Sequence, residues 1–127
     1  MNIDSLAPDA FERLQKAAAA DPEELAALCR DYLAEARRTL AHLRSALAQK
    51  DATRFRDRAH YLRGSSLVIG ATAVARCCTS LEQMGRDGEF RVAAPVLDQV
   101  AEALQAVQVE LAARLGESVI PIDGSAA

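Results

Sequence analysis

The sequence predicts an all-α fold: an antiparallel up-down-up-down four-helix bundle preceded by a short extra N-terminal helix. Three observations point there. Apolar residues recur by threes and fours through long stretches, the period of one helical face. Aromatics make up only 4% of the chain and Trp is absent, so packing falls to the abundant alanine and leucine. Pro, Asp and Gly stand where helices start and stop. At 127 residues the chain is long enough for one domain with its own core.

The elements follow in order. Pro8 suits the first turn of a short helix, with Ser5 or Ala7 near its start and Leu6, Ala10, Phe11 and Leu14 as its stripe. Asp21-Pro22-Glu23-Glu24 is a start signal: Asp21 caps, Pro22 takes the first helical position, and Glu24 sits where a capping-box carboxylate reaches back. The second helix runs to about Gln49 on Leu25, Leu28, Cys29, Tyr32, Leu33, Ala36, Leu40, Leu43 and Leu47. Asp51 caps a third helix with the stripe Phe55, Ala59, Leu62, Ser66 and Ile69, which Gly70 ends or bends. A fourth spans Thr72 to Met84, with Gly85 and Arg86-Asp87-Gly88 as the turn. A fifth runs from Val92 to Leu115 with Pro95 in its first turn and the stripe Val96, Val100, Leu104, Val107, Leu111 and Leu115. Residues 1–115 thus form the bundle, and 116–127 read as a flexible tail in which Val119, Ile120 and Ile122 could dock on a groove. Long amphipathic helices on short turns favour antiparallel neighbours.

Charge is distributed unevenly. The net charge is −3, yet residues 1–35 carry −5, residues 37–63 carry +6 and residues 64–127 carry −4. The positive stretch suits an acidic partner surface. A nucleic-acid binder would need a positive total and stacking aromatics, so none is expected. No run of apolar residues is long enough to span a membrane, and no secretory signal opens the chain. Cys29, Cys77 and Cys78 form neither a disulfide framework nor a zinc pattern, which suits a reducing cytoplasm. His42 and His60 lie on different helices without a partner pattern, so no metal site is expected, and no nucleotide loop suggests a kinase.

The chemistry concentrates in His60-Tyr61-Leu62-Arg63-Gly64-Ser65-Ser66-Leu67-Val68-Ile69-Gly70-Ala71. On a helical wheel at ~100° per residue, His60 lies roughly 140° from the centre of the core stripe, with Arg56, Arg63, Gly64 and Leu67 on its side. His60 is therefore a mid-helix histidine that faces out. An imidazole titrates at ~6.5, which leaves a neutral, nucleophilic fraction at cellular pH. Arg63, one turn on, can offset the charge of an attached phosphoryl group. Glycine inside a helix costs about 1 kcal/mol relative to alanine, and at Gly64 access for a partner explains that cost. Ser66 packs in the core and Ser65 can bond a backbone carbonyl. His42, with no glycine near it, reads as a solvated residue.

These residues resemble the histidine-containing phosphotransfer (HPt) family of two-component phosphorelays, whose pattern is H-x-L-K-G-S-S-x-x-hydrophobic-G-[AL]. His60, Leu62, Gly64, Ser65, Ser66, Ile69, Gly70 and Ala71 match it, and Arg63 stands in the lysine's place, with a different reach and hydrogen-bond geometry. The likeness runs from the second helix through the fifth. It implies a four-helix bundle whose exposed histidine takes a phosphoryl group from a receiver-domain aspartate and passes it to another receiver. It also implies a carrier without a cofactor, the catalytic groups and metal belonging chiefly to the receivers. In some members a glutamine on the next helix bonds the histidine's other nitrogen. Here Glu82 occupies that place with Gln83 beside it, and either could face His60.

The leading functional expectation is a monomeric, cytoplasmic phosphorelay intermediate with His60 as acceptor. Arg63 and Gly64 would serve it directly, with Ser65 and Glu82 or Gln83 in support. Docking would use Arg56 and Leu67, extended by Phe11 or Leu14 of the first helix. The alternative is a helical interaction module that binds signalling partners without phosphotransfer; such a module would lack or crowd the histidine, and this chain does neither. A start at Met1 and a short soft end fit a free-standing protein better than a domain of a hybrid kinase.

Overall fold

The structure is a computed structural model and describes residues 5–18 and 21–122. Five helices occur among these residues: α1 (Pro8–Ala17), α2 (Pro22–Ala48), α3 (Ala52–Ile69), α4 (Thr72–Asp87) and α5 (Ala93–Leu115). Local chemistry sets their ends. Asp21 Oδ1 accepts from the Glu23 and Glu24 amides at 3.0 and 3.4 Å, and Pro22 opens α2. Asp51 Oδ1 accepts from the Arg54 amide at 3.1 Å and starts α3. At the far end of α3, Gly70 turns left-handed at φ +90°, and the Ala71 amide reaches back to the Ser66 carbonyl at 2.8 Å.

The helix that follows is longer than its glycines suggest. Gly85, expected in the turn, is buried inside α4, which continues to Asp87. Gly88 ends it at φ +66°, with the Glu89 amide closing onto the Met84 carbonyl at 3.0 Å. The reason is space: a Cβ on Gly85 would lie 2.8 Å from Arg56 Cβ and 2.9 Å from Arg56 Cα. The glycine allows α4 to press against α3.

Short connections make successive helices antiparallel, and α2 through α5 close into a ring in which α5 returns to α2. Leu43, Phe55, Leu62, Val74, Leu81, Leu97, Leu104 and Leu111 fill it and are fully buried. On α5 the buried stripe includes Leu97, while Val96 is half-buried; on α2, Leu28 is exposed rather than core. Phe55 meets Phe90 edge to face with centroids 5.0 Å apart. Ser66 does more than fill space: its Oγ shares a 2.7 Å hydrogen bond with the Tyr32 hydroxyl, tying α3 to α2. All three cysteines are free; burial pushes the Cys29 thiol up to about 11 and the Cys78 thiol up to about 12, as befits packing residues.

The first helix caps one end of the bundle. The Ala7 amide donates to the Gly70 carbonyl at 2.7 Å, and a Cβ on Gly70 would lie 3.0 Å from the Ala7 carbonyl oxygen. Leu6 and Phe11 are buried, and the Arg114 guanidinium lies 5.2 Å above the Phe11 ring. The stretch after α5 also packs over residues 116–122. Ile120 is fully buried, Val119 is half-buried and Ile122 is exposed. Arg30 Nη1 donates to the Val119 carbonyl at 3.4 Å, and Gln108 Nε2 donates to the Pro121 carbonyl. The rest of the expected tail lies outside the described residues. His42 is half-buried rather than solvated, and its Nδ1 has no hydrogen-bond partner among the described residues.

Candidate functional site

His60 stands at the middle of α3, and its side chain is 65% exposed. Its Nδ1 lies 3.0 Å from Glu82 Oε2 on α4. Glu82 is buried and gathers three partners: His60, Arg63 Nε, which donates to Oε1 at 3.0 Å, and Arg86 Nη2, which donates to Oε2 at 3.2 Å. Burial acts to raise the Glu82 carboxyl. Hydrogen bonds from Arg63 and His60, reinforced by the charge of Arg63, outweigh it and hold the group below the usual carboxylate range.

This arrangement bears on which ring nitrogen keeps a free electron pair. Arg63 Nη2 also lies 3.1 Å from His60 Nδ1. A guanidinium only donates, so Nδ1 either donates to Glu82 or accepts from Arg63. The ionised carboxylate makes the stronger, charge-assisted bond. The network therefore assigns the neutral ring's proton to Nδ1 and its free electron pair to Nε2. The same logic orients a catalytic histidine beside a carboxylate in hydrolases.

The open face beside His60 comes from α3 itself. A Cβ on Gly64 would meet nothing within 4 Å, so the glycine holds space clear without packing against anything. Leu67 is exposed as the wheel requires, and so are Tyr61 and Val68, which the sequence reading passed over. At ~100° per residue Leu67 shares the direction of His60, whereas Tyr61 and Val68 lie about a quarter-turn round α3, at a separate groove. Leu14 is half-buried and lines a groove on the Tyr61 and Val68 side together with Leu28 and Ile69. Phe11 is excluded from any docking surface, being 1% exposed in the core. Arg56 remains accessible, but Asp57 Oδ1 accepts from its Nη2 at 3.2 Å.

The remaining candidates separate cleanly. Ser65 Oγ donates to the Leu62 carbonyl at 3.2 Å and stays within its own helix turn. Gln83 faces away from His60: its Nε2 donates to Asp87 Oδ1 at 2.9 Å and its Oε1 accepts from Arg86 Nη1 at 3.1 Å. Of the adjacent pair, then, Glu82 holds the ring. Arg86 and Gly85 also belong to the site's framework and were missed. Both sit where a turn was expected, and only the continuation of α4 to Asp87 sets Gly85 against Arg56 of α3 and Arg86 onto Glu82. Among the described residues no cluster of His, Cys, Asp and Glu is arranged to hold a metal ion.

Comparison with known proteins bears on the family and the fold. The Hpt domain profile matches residues 27–110, a stretch that holds His60, Arg63, Gly64, Glu82 and Arg86. Multistep phosphorelay regulator 1 of Schizosaccharomyces pombe is 31% identical over 83 residues, covering 61% of this chain. The chain spans 28% of that relative's length. Histidine-containing phosphotransfer protein B (HptB) from Pseudomonas aeruginosa PAO1 has a similar fold, with a TM-score of 0.81 at 24% identity, covering 90% of this chain and 96% of that one. A profile match over most of the chain, centred on an exposed histidine in a helical bundle, settles the family: the chain belongs to the Hpt domain family.

Proposed function

We propose that this protein is a phosphorelay intermediate whose acceptor is His60. One observation carries the reading: Nδ1 is engaged by Glu82 while the ring stands exposed beside the open space at Gly64. Nε2 attacks the phosphorus of a receiver's aspartyl phosphate. The N–P bond forms as the O–P bond breaks, and the aspartate leaves as a carboxylate. The Nδ1 proton stays in its hydrogen bond to Glu82, which stabilises the positive charge that develops on the ring. Reversal of the same step loads a second receiver. Arg63 offsets the phosphoryl charge, and Gly64 leaves room for the receiver to close over the ring.

The protein itself is a carrier rather than an enzyme on this reading, and most of the catalytic apparatus belongs to the receiver. Partners are receiver domains of response regulators or hybrid kinases, engaged by a monomer in the cytoplasm without nucleic acid. No helix among the described residues is long and apolar enough to cross a membrane. A docking module without phosphotransfer is the less favoured reading, because an oriented and accessible histidine has no use in it. The test is transfer from a phosphorylated receiver domain, read as acid-labile, base-stable label. Wild type should take up label and His60→Gln none; equal labelling of the two would overturn the assignment.

A further inference from the structure

A buried carboxylate is an awkward neighbour for a histidine that must take on a dianionic group. Glu82 holds the ring in its reactive tautomer, but its negative charge also repels the incoming phosphoryl. Arg63 alone could not serve both anions. Its Nε is committed to Glu82 Oε1 at 3.0 Å, and only its Nη2, 3.1 Å from His60 Nδ1, reaches towards the ring. A single arginine against a single carboxylate leaves no surplus positive charge.

Arg86 changes that balance. It sits one turn after Glu82 on α4 and donates through Nη2 to Oε2, the same oxygen that accepts from His60. Its Nη1 donates to Gln83 Oε1, which pins the guanidinium in place. Two arginines now stand against one carboxylate, with a net positive charge beside the ring. We infer that Arg86 is a positioning residue for phosphotransfer at His60: by covering Glu82 Oε2 it offsets the carboxylate and leaves Arg63 to meet the phosphoryl group. The inference rests on His60 being the acceptor. Arg86 makes no hydrogen bond to the ring, and it acts through Glu82.

This makes an unusual demand on a double-mutant cycle. The need for Arg86 exists only because Glu82 is charged. Arg86→Gln should slow phosphoryl uptake by about tenfold, the size of a charge-assisted hydrogen bond at a half-exposed site. Glu82→Gln keeps an oxygen that accepts from Nδ1–H, and in that background Arg86→Gln should cost less than about twofold. Arg86→Lys should retain most of the wild-type rate. Uptake is followed by phosphorus NMR with potassium phosphoramidate as donor, its N–P bond breaking as ammonia leaves and the new N–P bond forms at Nε2. Circular dichroism confirms that each variant is folded. Wild-type His60 that takes no phosphoryl group would sink the acceptor assignment and this inference with it. Normal loading of wild type would leave that assignment standing. The inference alone then falls if Arg86→Gln loads at the wild-type rate, or slows equally in both backgrounds.

Discussion

Glu82 has been taken almost wholly out of water, and its ionised form is held by hydrogen bonds from two arginines and a histidine. Its folded carboxyl is therefore depressed below the ordinary glutamate value of ~4.3. The sign of the resulting pH dependence follows from linkage. The charged form is favoured by folding, so the contribution is fully present above the unfolded pKa and is lost as pH falls through the lower, folded one. Wild type should thus lose stability faster than Glu82→Gln as pH falls through and below the ordinary glutamate value of ~4.3, since the variant has nothing to protonate at that position. Urea midpoints of both proteins at several pH values would show it, and parallel curves would mean the carboxylate contributes nothing. The exposed histidine and its neighbours were legible in the sequence because His60, Arg63 and Gly64 lie within about one turn, where helical geometry fixes who faces whom. The choice between Glu82 and Gln83 was not. It depends on how α4 is rotated against α3, a tertiary property that no local spacing encodes.

At the scale of the element, that rotation and closeness come from Gly85. Among the described residues two glycines sit inside helices, Gly64 and Gly85, and they do opposite things. A Cβ at Gly64 has open space, whereas one at Gly85 runs into the Arg56 backbone at 2.9 Å. Gly64→Ala should therefore stabilise the fold by about 1 kcal/mol through helix propensity alone. Gly85→Ala should destabilise it by about 1–3 kcal/mol, because backbone cannot yield as a flexible side chain would. The functional outcomes differ in kind. Gly64→Gln crowds the docking face and slows transfer in a stable protein. Gly85→Ala drives α4 away from α3 and loosens the grip of Glu82 on His60. Denaturant midpoints and transfer rates measured together separate the two, and a Gly85→Ala protein as stable as wild type would refute the packing argument. The end of α4 was misread for the same reason. Glycine in a helix interior is costly, so a sequence reading stops the helix at the first one. Here close approach to α3 offsets that cost, and Gly88 ends the helix instead.

Over the whole molecule, the ring of α2 through α5 and the lock of α1 onto Gly70 divide the surface into covered and open regions. The covered part removes Phe11 from any docking role. The apolar stripe of α1 was readable, but which body it would cover was not, since a ten-residue helix can cap a bundle or lie free. What stays open on the His60 side is Leu67, with Tyr61 and Val68 a quarter-turn round α3 at the groove that the half-buried Leu14 borders. A receiver that closes over His60 is expected to cover Leu67 and to reach the near edge of that groove at Tyr61, while Arg56, already paired with Asp57, offers only part of its charge. Binding of a receiver that exchanges phosphoryl groups with this protein should then respond in three distinct ways. Leu67→Ala and Tyr61→Ala should each weaken it at low and moderate salt alike, because apolar burial is not screened. Arg56→Ala should weaken it slightly and only at low salt, where the Debye length exceeds its ~8 Å physiological value. Phe11→Ala should cost about 3–5 kcal/mol of stability yet leave the affinity of the folded fraction unchanged. Titration calorimetry at two ionic strengths reads all three. Unchanged affinity for both Leu67→Ala and Tyr61→Ala would move the docking face away from α3. The receiver would then have to reach His60 from the α4 side, across Arg63 and Arg86.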